Sequence, residues 1–469
     1  MVETALSLRE RILKGGVYLV IRQTLGILIG FGNVLLLTYL IGPRNYGLYA
    51  AALGMILYLG NIGRLGIDVY LIRHEKEPTP EVYHQAFTVM FSSGMIVMLL
   101  GVGAIPLLER WYQHSDFIPP YFALLLTLPL SALSGPALAR FERDLNYRAF
   151  TTIDLAGQLV FCVVAVPLAY WGMGVWAPVI GYVMWQFCLL IGACTMSSLI
   201  PRPYWSWPLL REMISYGLGY SVSMGFWQLR LLVNPLIVGR YAGPETVGFV
   251  ALAIRLADQL SFVKRAAWQL SMPALAKLHG DYERLKRTME DAMVLQVILL
   301  GPFLTGFALF GPWLLRLILG EQWRPVLVIY PFIALGIFLN AVFSMHSSVL
   351  YVLKRNWSVT SFHLFHIFLF SLSAFLLVRR FDGLGYGLAE VVALLSYVLI
   401  HFQVAKLFHL SYSEAWPWVL AFTPPLFATF ELGYWIVFLW LPLFFILLLP
   451  ESRRQVARYF AYAMGGTKA

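Results

Sequence analysis

Four arginines, Arg22, Arg64, Arg230 and Arg255, fall inside long apolar runs, and two of them have a carboxylate within one helical turn: Asp68 after Arg64, Asp258 after Arg255. An arginine at the bilayer centre costs about 2.5 to 3.5 kcal/mol on the insertion scale, which cancels several leucines at roughly −0.5 each. Such side chains face protein or a wet cavity rather than lipid. A guanidinium engages phosphate oxygens through paired parallel hydrogen bonds and keeps its charge when desolvated, so the chemistry on offer is anion binding inside a membrane. Asp68 and Asp258 either neutralise their neighbours on one helix face or serve as coupling sites for H+ or Na+. Asp154 and Glu390 sit nearer to helix ends, where solvation suits them as well.

Amides accompany the charges. Gln23, Asn33, Asn61, Gln228 and Asn234 lie in the same runs, and they are candidates for contacts to ligand hydroxyls or for hydrogen bonds between helices. His363 and His366 have i,i+3 spacing but no carboxylate or Cys beside them, so no metal site is expected. Cys162, Cys188 and Cys194 all lie in apolar runs, where a thiol acts as a small hydrophobe. No cofactor is implied: the Gly-rich stretch at residues 383–387 lacks the preceding strand that a dinucleotide site needs.

The elements that must position these residues are membrane spans. Of the 469 residues, 59% are hydrophobic and 12% charged, with a mean hydropathy of +0.72, whereas charged residues make up roughly a quarter of a soluble globule. Apolar runs of about 20 residues recur from residue 15 to residue 450. Breaks at Gly, Pro and charge clusters predict an all-α membrane fold of fourteen helices, near 15–41, 46–72, 84–108, 117–140, 148–171, 174–199, 213–241, 245–270, 291–319, 325–353, 358–380, 385–409, 415–430 and 432–450. The first has no small-residue cleavage site and reads as an uncleaved span rather than a secretion signal.

Of the 34 Lys and Arg, the outer loops hold only Arg44, Arg110, Arg240, Arg316, Arg324, Arg379 and Arg380 if both termini are cytoplasmic, which is the orientation the positive-inside bias requires. The net charge of +10 is then explained by topology and anionic headgroups, without nucleic acid. Residues 277–291 space Leu278, Tyr282, Leu285 and Met289 as an amphipathic surface helix. Residues 201–208 are an interfacial aromatic anchor.

The chain also repeats itself. With an offset of 201 residues, Gly42-Pro43 falls on Gly243-Pro244, Gly47 on Gly248, Ala50 on Ala251 and Ala52 on Ala253. A looser match sets Gly172-Met173-Gly174 on Gly383-Leu384-Gly385 and Arg143 on Lys354. Six helices separate the copies, so both enter the membrane in the same direction. The expected organisation is an N-terminal six-helix bundle (1–200), a linker (201–212), a second six-helix bundle (213–409), two additional membrane helices (410–450) and a cytoplasmic tail (451–469). Parallel repeats of this kind place a path between two halves.

The runs LIGPRNYGLYAAAL, GRLGIDVYLIR, FERDLNYRAF and GLGYGLAE, in this order, resemble the polysaccharide-biosynthesis flippases of the multidrug/oligosaccharidyl-lipid/polysaccharide exporter superfamily, from Leu6 to about Phe408. The resemblance implies two lobes around a central cavity that opens alternately to either side of a bacterial cytoplasmic membrane. It also implies outward movement of undecaprenyl-diphosphate-linked oligosaccharide, with Arg22, Arg64, Arg230 and Arg255 receiving the diphosphate. Expected partners are that lipid-linked glycan, membrane lipids, H+ or Na+, and other polysaccharide-assembly proteins. The rival readings are a multidrug or cation antiporter of the same superfamily, which would hold its cation with acids and aromatics, and a membrane glycan polymerase or ligase, which would need catalytic groups on a sizeable outer loop.

Overall fold

The computed structural model describes residues 8–74, 77–112, 115–262, 281–407 and 409–463, and these residues are helical or loop, with no strand among them. Backbone polar groups in hydrocarbon find no water, and a helix satisfies them within its own segment. Among the described residues, eight helical segments are long and apolar enough to cross a membrane, or nine if the pair Gly433–Leu448 and Pro450–Tyr459, bent by 81°, is counted as one span. Contacts divide the chain into two compact units, Met1–Gly248 and Phe249–Ala469.

The first unit begins with α1 (Leu8–Gly63), followed by α2 (Ile67–Arg73), α3 (Pro80–Gly103), α4 (Ile105–Tyr112), α5 (Ile118–Leu125), α6 (Thr127–Arg143), α7 (Tyr147–Tyr170), α8 (Trp176–Ser197) and α9 (Trp207–Gln228). Its core joins Ile67, Leu71, Phe87, Met90, Ala137 and Met213, all almost wholly buried. The segment expected as a linker docks on α3: the Tyr204 N–H donates to Thr88 Oγ1 (3.0 Å) and the Ser206 N–H to Gln85 Oε1 (2.7 Å). The FERDLNYRAF run is a corner. Leu145 turns the chain at φ 53°, Asn146 caps α7 by accepting from the Ala149 N–H (3.2 Å), and Arg140 pairs with Asp144 (3.7 Å).

Residues 8–63 are too long for one crossing, and the backbone turns at Gly42, at φ 74° and ψ 171°. Gly243, its partner in the repeat, has φ 83° and opens α10 (Gly243–Leu260). Only glycine adopts this region without strain, and the proline that follows suits the first turn of a new helix. The two copies then pack on each other. A Cβ on Gly47 would lie 2.8 Å from the Gly248 N and would collide with the Pro244 carbonyl; a Cβ on Gly248 would lie 3.2 Å from the Gly47 N and would collide with the Pro43 carbonyl. The contact is reciprocal, as a two-fold relation between the copies produces. The looser match is different in detail: Gly172 (φ 82°) and Gly174 (φ 54°) form an open turn, while the reversal near Gly383 falls on Asp382 (φ 48°).

The second unit contains α11 (Tyr282–Leu319), α12 (Pro325–Val352), α13 (Asn356–Ala393), α14 (Ser396–Ala405), α15 (Trp416–Phe422), α16 (Ile436–Leu448) and α17 (Pro450–Ala463). α11 starts nine residues before the expected boundary at 291, because residues 282–291, with Leu285 and Met289 buried, form its first turns rather than a separate surface helix; residues 277–280 of that expected helix lie outside the described residues. Asp281 caps it by accepting from the Arg284 N–H (3.1 Å). α13 reverses at Asp382, so closely that Gly385 meets the Leu377 backbone. The thirteenth expected helix ends at Phe422 and continues as a 3-10 segment, Pro424–Phe430, because two prolines remove two backbone donors. Of the residues expected as a tail, 451–463 belong to α17, held by Trp418 Nε1 to Gln455 (2.7 Å) and Tyr459 Oη to Asp291 (2.9 Å).

Overpacking of a close helix crossing costs about 1–3 kcal/mol. Gly47→Ala and Gly248→Ala will each lower the melting temperature of the purified protein in detergent, and the double variant will lose less than the sum, since one displacement of the crossing relieves both clashes.

Candidate functional site

The second expected helix, 46–72, is not continuous. α1 ends at Gly63, and Arg64, Leu65 and Gly66 turn the chain before α2 starts at Ile67. Leu65 (φ 50°) and Gly66 (φ 69°) are both left-handed, a strained state for leucine that the surroundings must impose. α9 imposes it: a Cβ on Gly66 would lie 2.6 Å from the Gly217 carbonyl and 2.7 Å from Ser221 Oγ. The backbone groups released by the break are satisfied. The Leu65 N–H donates to the Ile62 carbonyl (3.1 Å) and the Ile67 N–H to the Arg64 carbonyl (3.0 Å), while Ser93 Oγ donates to the Gly63 carbonyl. At the other end of α2, Arg143 Nη1 donates to the carbonyls of Leu71 (2.9 Å) and His74 (2.8 Å), and Tyr70 Oη donates to Glu212 Oε1 (2.8 Å).

Arg64 therefore sits on a broken span, with a half-exposed side chain. Its Nη1 is 3.8 Å from Asp68 Oδ2, near enough to balance charge but beyond hydrogen-bonding distance. The guanidinium thus keeps its fork of N–H donors for another acceptor.

The seventh expected helix, 213–241, begins earlier, at Trp207, and is irregular in the same way. After Gln228 come a 3-10 turn, Leu229–Leu232, and a π turn, Asn234–Val238. Pro235 supplies the cause, since it has no N–H to donate and its ring crowds the preceding turn. The loosened carbonyls are taken by α4: Tyr112 Oη donates to the Pro235 carbonyl, and Trp111 Nε1 to the Leu236 carbonyl at 2.7 Å. Arg230 lies in the 3-10 turn, half-buried, its guanidinium carbon 5.2 Å from the centre of the Trp227 ring. A Cβ on Gly54 of α1 would lie 3.3 Å from the Leu231 carbonyl, so Arg230 is level with Gly54. Arg64 lies ten residues beyond Gly54, about 15 Å along the helix at 1.5 Å per residue. The two arginines are thus offset along α1.

The other expected residues are distributed. Asn33 is buried and its Nδ2 donates to the Gln158 carbonyl (3.4 Å); Asn234 is buried and its Nδ2 donates to the Val247 carbonyl (3.3 Å). Both amides thus join helices. Asn61 is exposed at the end of α1, and Gln228 is half-buried at the end of α9. Gln158 Nε2 donates to Asp154 Oδ2 (3.1 Å), Glu390 is buried in α13, and His366 Nδ1 pairs with Ser396 Oγ (2.8 Å). Arg255 and Asp258 are exposed on α10, and no ion pair joins them. The side chains of Arg22 and Gln23 lie outside the described residues. Apolar run length does not reveal these breaks, although Gly66 and Pro235, each inside an expected span, carry the signal.

Arginines at interruptions of apolar helices, in a chain whose described residues are helical or loop with eight or nine spans among them, define a multi-pass membrane protein built like a transporter. The fold is that of the lipid II flippase MurJ in its inward closed conformation, at a TM-score of 0.71 and 12% identity over 96% of this chain and 98% of that one. Residues 36–328 match the model of the polysaccharide biosynthesis protein family, and the chain belongs to that family. It is similar to the succinoglycan biosynthesis transport protein ExoT of Rhizobium meliloti (strain 1021), 26% identical over 300 residues, which are 62% of this chain and 59% of that protein. It is also similar to the lipopolysaccharide biosynthesis protein WzxC of Escherichia coli (strain K12), 21% identical over 413 residues, covering 84% of this chain and 82% of that one.

Replacing Gly66 by Ala adds strain of roughly 1–3 kcal/mol at a left-handed residue pressed against α9, so Gly66→Ala will melt several degrees below the parent in detergent, while Arg64→Gln will melt with it.

Proposed function

We propose that this protein is a flippase, not an enzyme, which carries an undecaprenyl-diphosphate-linked oligosaccharide from the inner to the outer leaflet of a bacterial cytoplasmic membrane. The observation that carries the reading is the placement of Arg64 and Arg230 at two interruptions of apolar spans, in a chain of the polysaccharide biosynthesis family. Interrupted helices offer backbone and side-chain groups to a substrate at membrane depth. Two guanidiniums offset along α1 suit a diphosphate that moves: the head group pairs with one and passes to the other, without leaving a charge unpaired in a low-dielectric setting. Arg22 and Arg255 complete the cationic path in this scheme, and Asp68, beside Arg64, or Asp258 is the ion-coupling carboxylate. Asn61 and Gln228 remain the amides best suited to the glycan, because Asn33 and Asn234 are committed to carbonyls.

The full scheme has fourteen helices with both termini cytoplasmic. In this scheme the halves 1–200 and 213–409 are repeats related by an axis along the membrane normal, and one rocks against the other for alternating access. The reciprocal contact of Gly47 and Gly248 supports this relation. A cation antiporter built on the same plan would line its path with acids; the two breaks carry Arg64 and Arg230, with Asp68 as the acid beside Arg64.

Loss of one charge-assisted contact of about 1.5–3 kcal/mol corresponds to roughly ten- to a hundred-fold in rate or affinity. In cells whose own copy is deleted, Arg64→Gln and Arg230→Gln will accumulate lipid-linked glycan by that order, read by mass spectrometry of lipid extracts, and Lys at either position will restore part of the loss. Unchanged glycolipids together with lost drug resistance would instead identify an antiporter.

A further inference from the structure

The FERDLNYRAF corner has no role in the proposed diphosphate path, yet its Arg143 reaches the segment that follows the break at residues 64–66. Arg143 is half-buried, and its Nη1 donates to both the Leu71 carbonyl (2.9 Å) and the His74 carbonyl (2.8 Å). Leu71 lies in the last turn of α2 and His74 is the C-cap, so these carbonyls belong to a helix end that has no intrahelical donors left. One guanidinium nitrogen closes that end.

The contact matters because α2 has only seven residues. An isolated helix shorter than about 12 residues is marginal, so the shape and direction of α2 depend on what grips it. α9 grips its start, where Gly217 presses on Gly66, and its middle, where Tyr70 Oη donates to Glu212 (2.8 Å). Arg143 grips its last turn. The corner that presents Arg143 is itself braced: Arg140 pairs with Asp144 (3.7 Å) and donates from Nη1 to the Ser197 carbonyl at the end of α8 (2.9 Å), and the Asn146 N–H donates to the Phe141 carbonyl (2.9 Å).

The first turn of α2 carries the acid that faces Arg64. Asp68 Oδ1 accepts the Val69 N–H (2.9 Å), which orients the carboxylate so that Oδ2 stands 3.8 Å from Arg64 Nη1. Leu71 is three residues further on, about 4.5 Å along the axis at 1.5 Å per residue. Unwinding of that single turn therefore moves Asp68.

We infer that Arg143 is a positioning residue for the Arg64 site: by holding the end of α2 it fixes Asp68 and the turn at residues 64–66, and with them the direction in which the Arg64 guanidinium is presented. Its use in transport rests on the flippase reading; the hold on the break does not.

The test uses the full chain in lipid nanodiscs and in proteoliposomes. Parent protein, Arg143→Gln, Arg143→Lys, Arg64→Gln and the double variant Arg64→Gln/Arg143→Gln are compared, with melting curves to verify that each is folded. Hydrogen exchange, followed by mass spectrometry of overlapping peptides, reads the break. Hydrogen bonds from a charged donor are worth about ten-fold or more in a local opening equilibrium, so Arg143→Gln is expected to exchange about ten-fold faster over residues 65–71, with Arg143→Lys between it and the parent and α3 unchanged. Faster hydrogen exchange confined to residues 72–74, or none at all, would overturn the positioning role. Movement of a fluorescent undecaprenyl-diphosphate glycan across proteoliposomes reads the use. Arg143→Gln is expected to slow it about ten-fold when Arg64 is present and less than about two-fold when Arg64 is already Gln, because residues that act through one another are not additive. An equal loss in both backgrounds overturns the inference, since Arg143 would then act on the lipid directly or on the fold alone. Should Arg143→Gln not fold, Arg143→Lys carries both readouts. If the parent moves no lipid, the flippase reading falls, and hydrogen exchange alone decides whether Arg143 holds the break.

Discussion

Every backbone N–H and C=O that lies in hydrocarbon must find a partner inside the protein, because lipid supplies none. That requirement accounts for the helical segments, and it makes each departure from a helix informative. Where the chain breaks at residues 64–66, a serine from α3 and close turns take the exposed carbonyls. Where it widens at residues 229–238, a tyrosine and a tryptophan from α4 do so. Interruptions this well supported are built features of the fold, and each one carries an arginine.

The arginines and the glycines follow from the same economy of space. A charged group at membrane depth is tolerated beside protein or water, and irregular backbone is tolerated only in such places. Close backbone approach makes the irregularity possible: Gly217 admits the Leu65 carbonyl, and Gly54 admits the Leu231 carbonyl. The repeated Gly-Pro-x-x-x-Gly motif uses glycine for two separate reasons. Gly42 and Gly243 reverse the chain at positive φ, whereas Gly47 and Gly248 let the two copies touch. One motif thus ends a helix and seats the next.

Much of this was legible from residue order. The membrane setting, most of the helix positions and the repeat all follow from apolar run length, basic-residue bias and spacing. The family followed from four short runs in order, and the match over residues 36–328 agrees. Other features were misread because they depend on neighbours. Residues 46–72 look like one helix since apolar content reports depth, not continuity; the break is decided by α9 pressing on Leu65 and Gly66. Residues 282–291 look amphipathic in isolation, but burial of Leu285 and Met289 extends α11 through them. Asn33 and Asn234 look available until the Gln158 and Val247 carbonyls are brought to them.

The sequence by itself determined the solvent and the kind of element: a chain with 59% hydrophobic residues in runs of span length has no stable alternative to membrane helices, because burial of apolar surface and satisfaction of backbone groups are both local along such runs. Only the tertiary structure decided where the helices break, which arginines stand at the breaks and which arginine closes the end of α2. Those outcomes turn on contacts between residues tens to hundreds of positions apart, such as Gly66 with Gly217 or Leu71 with Arg143, and spacing along the chain carries no record of such distances.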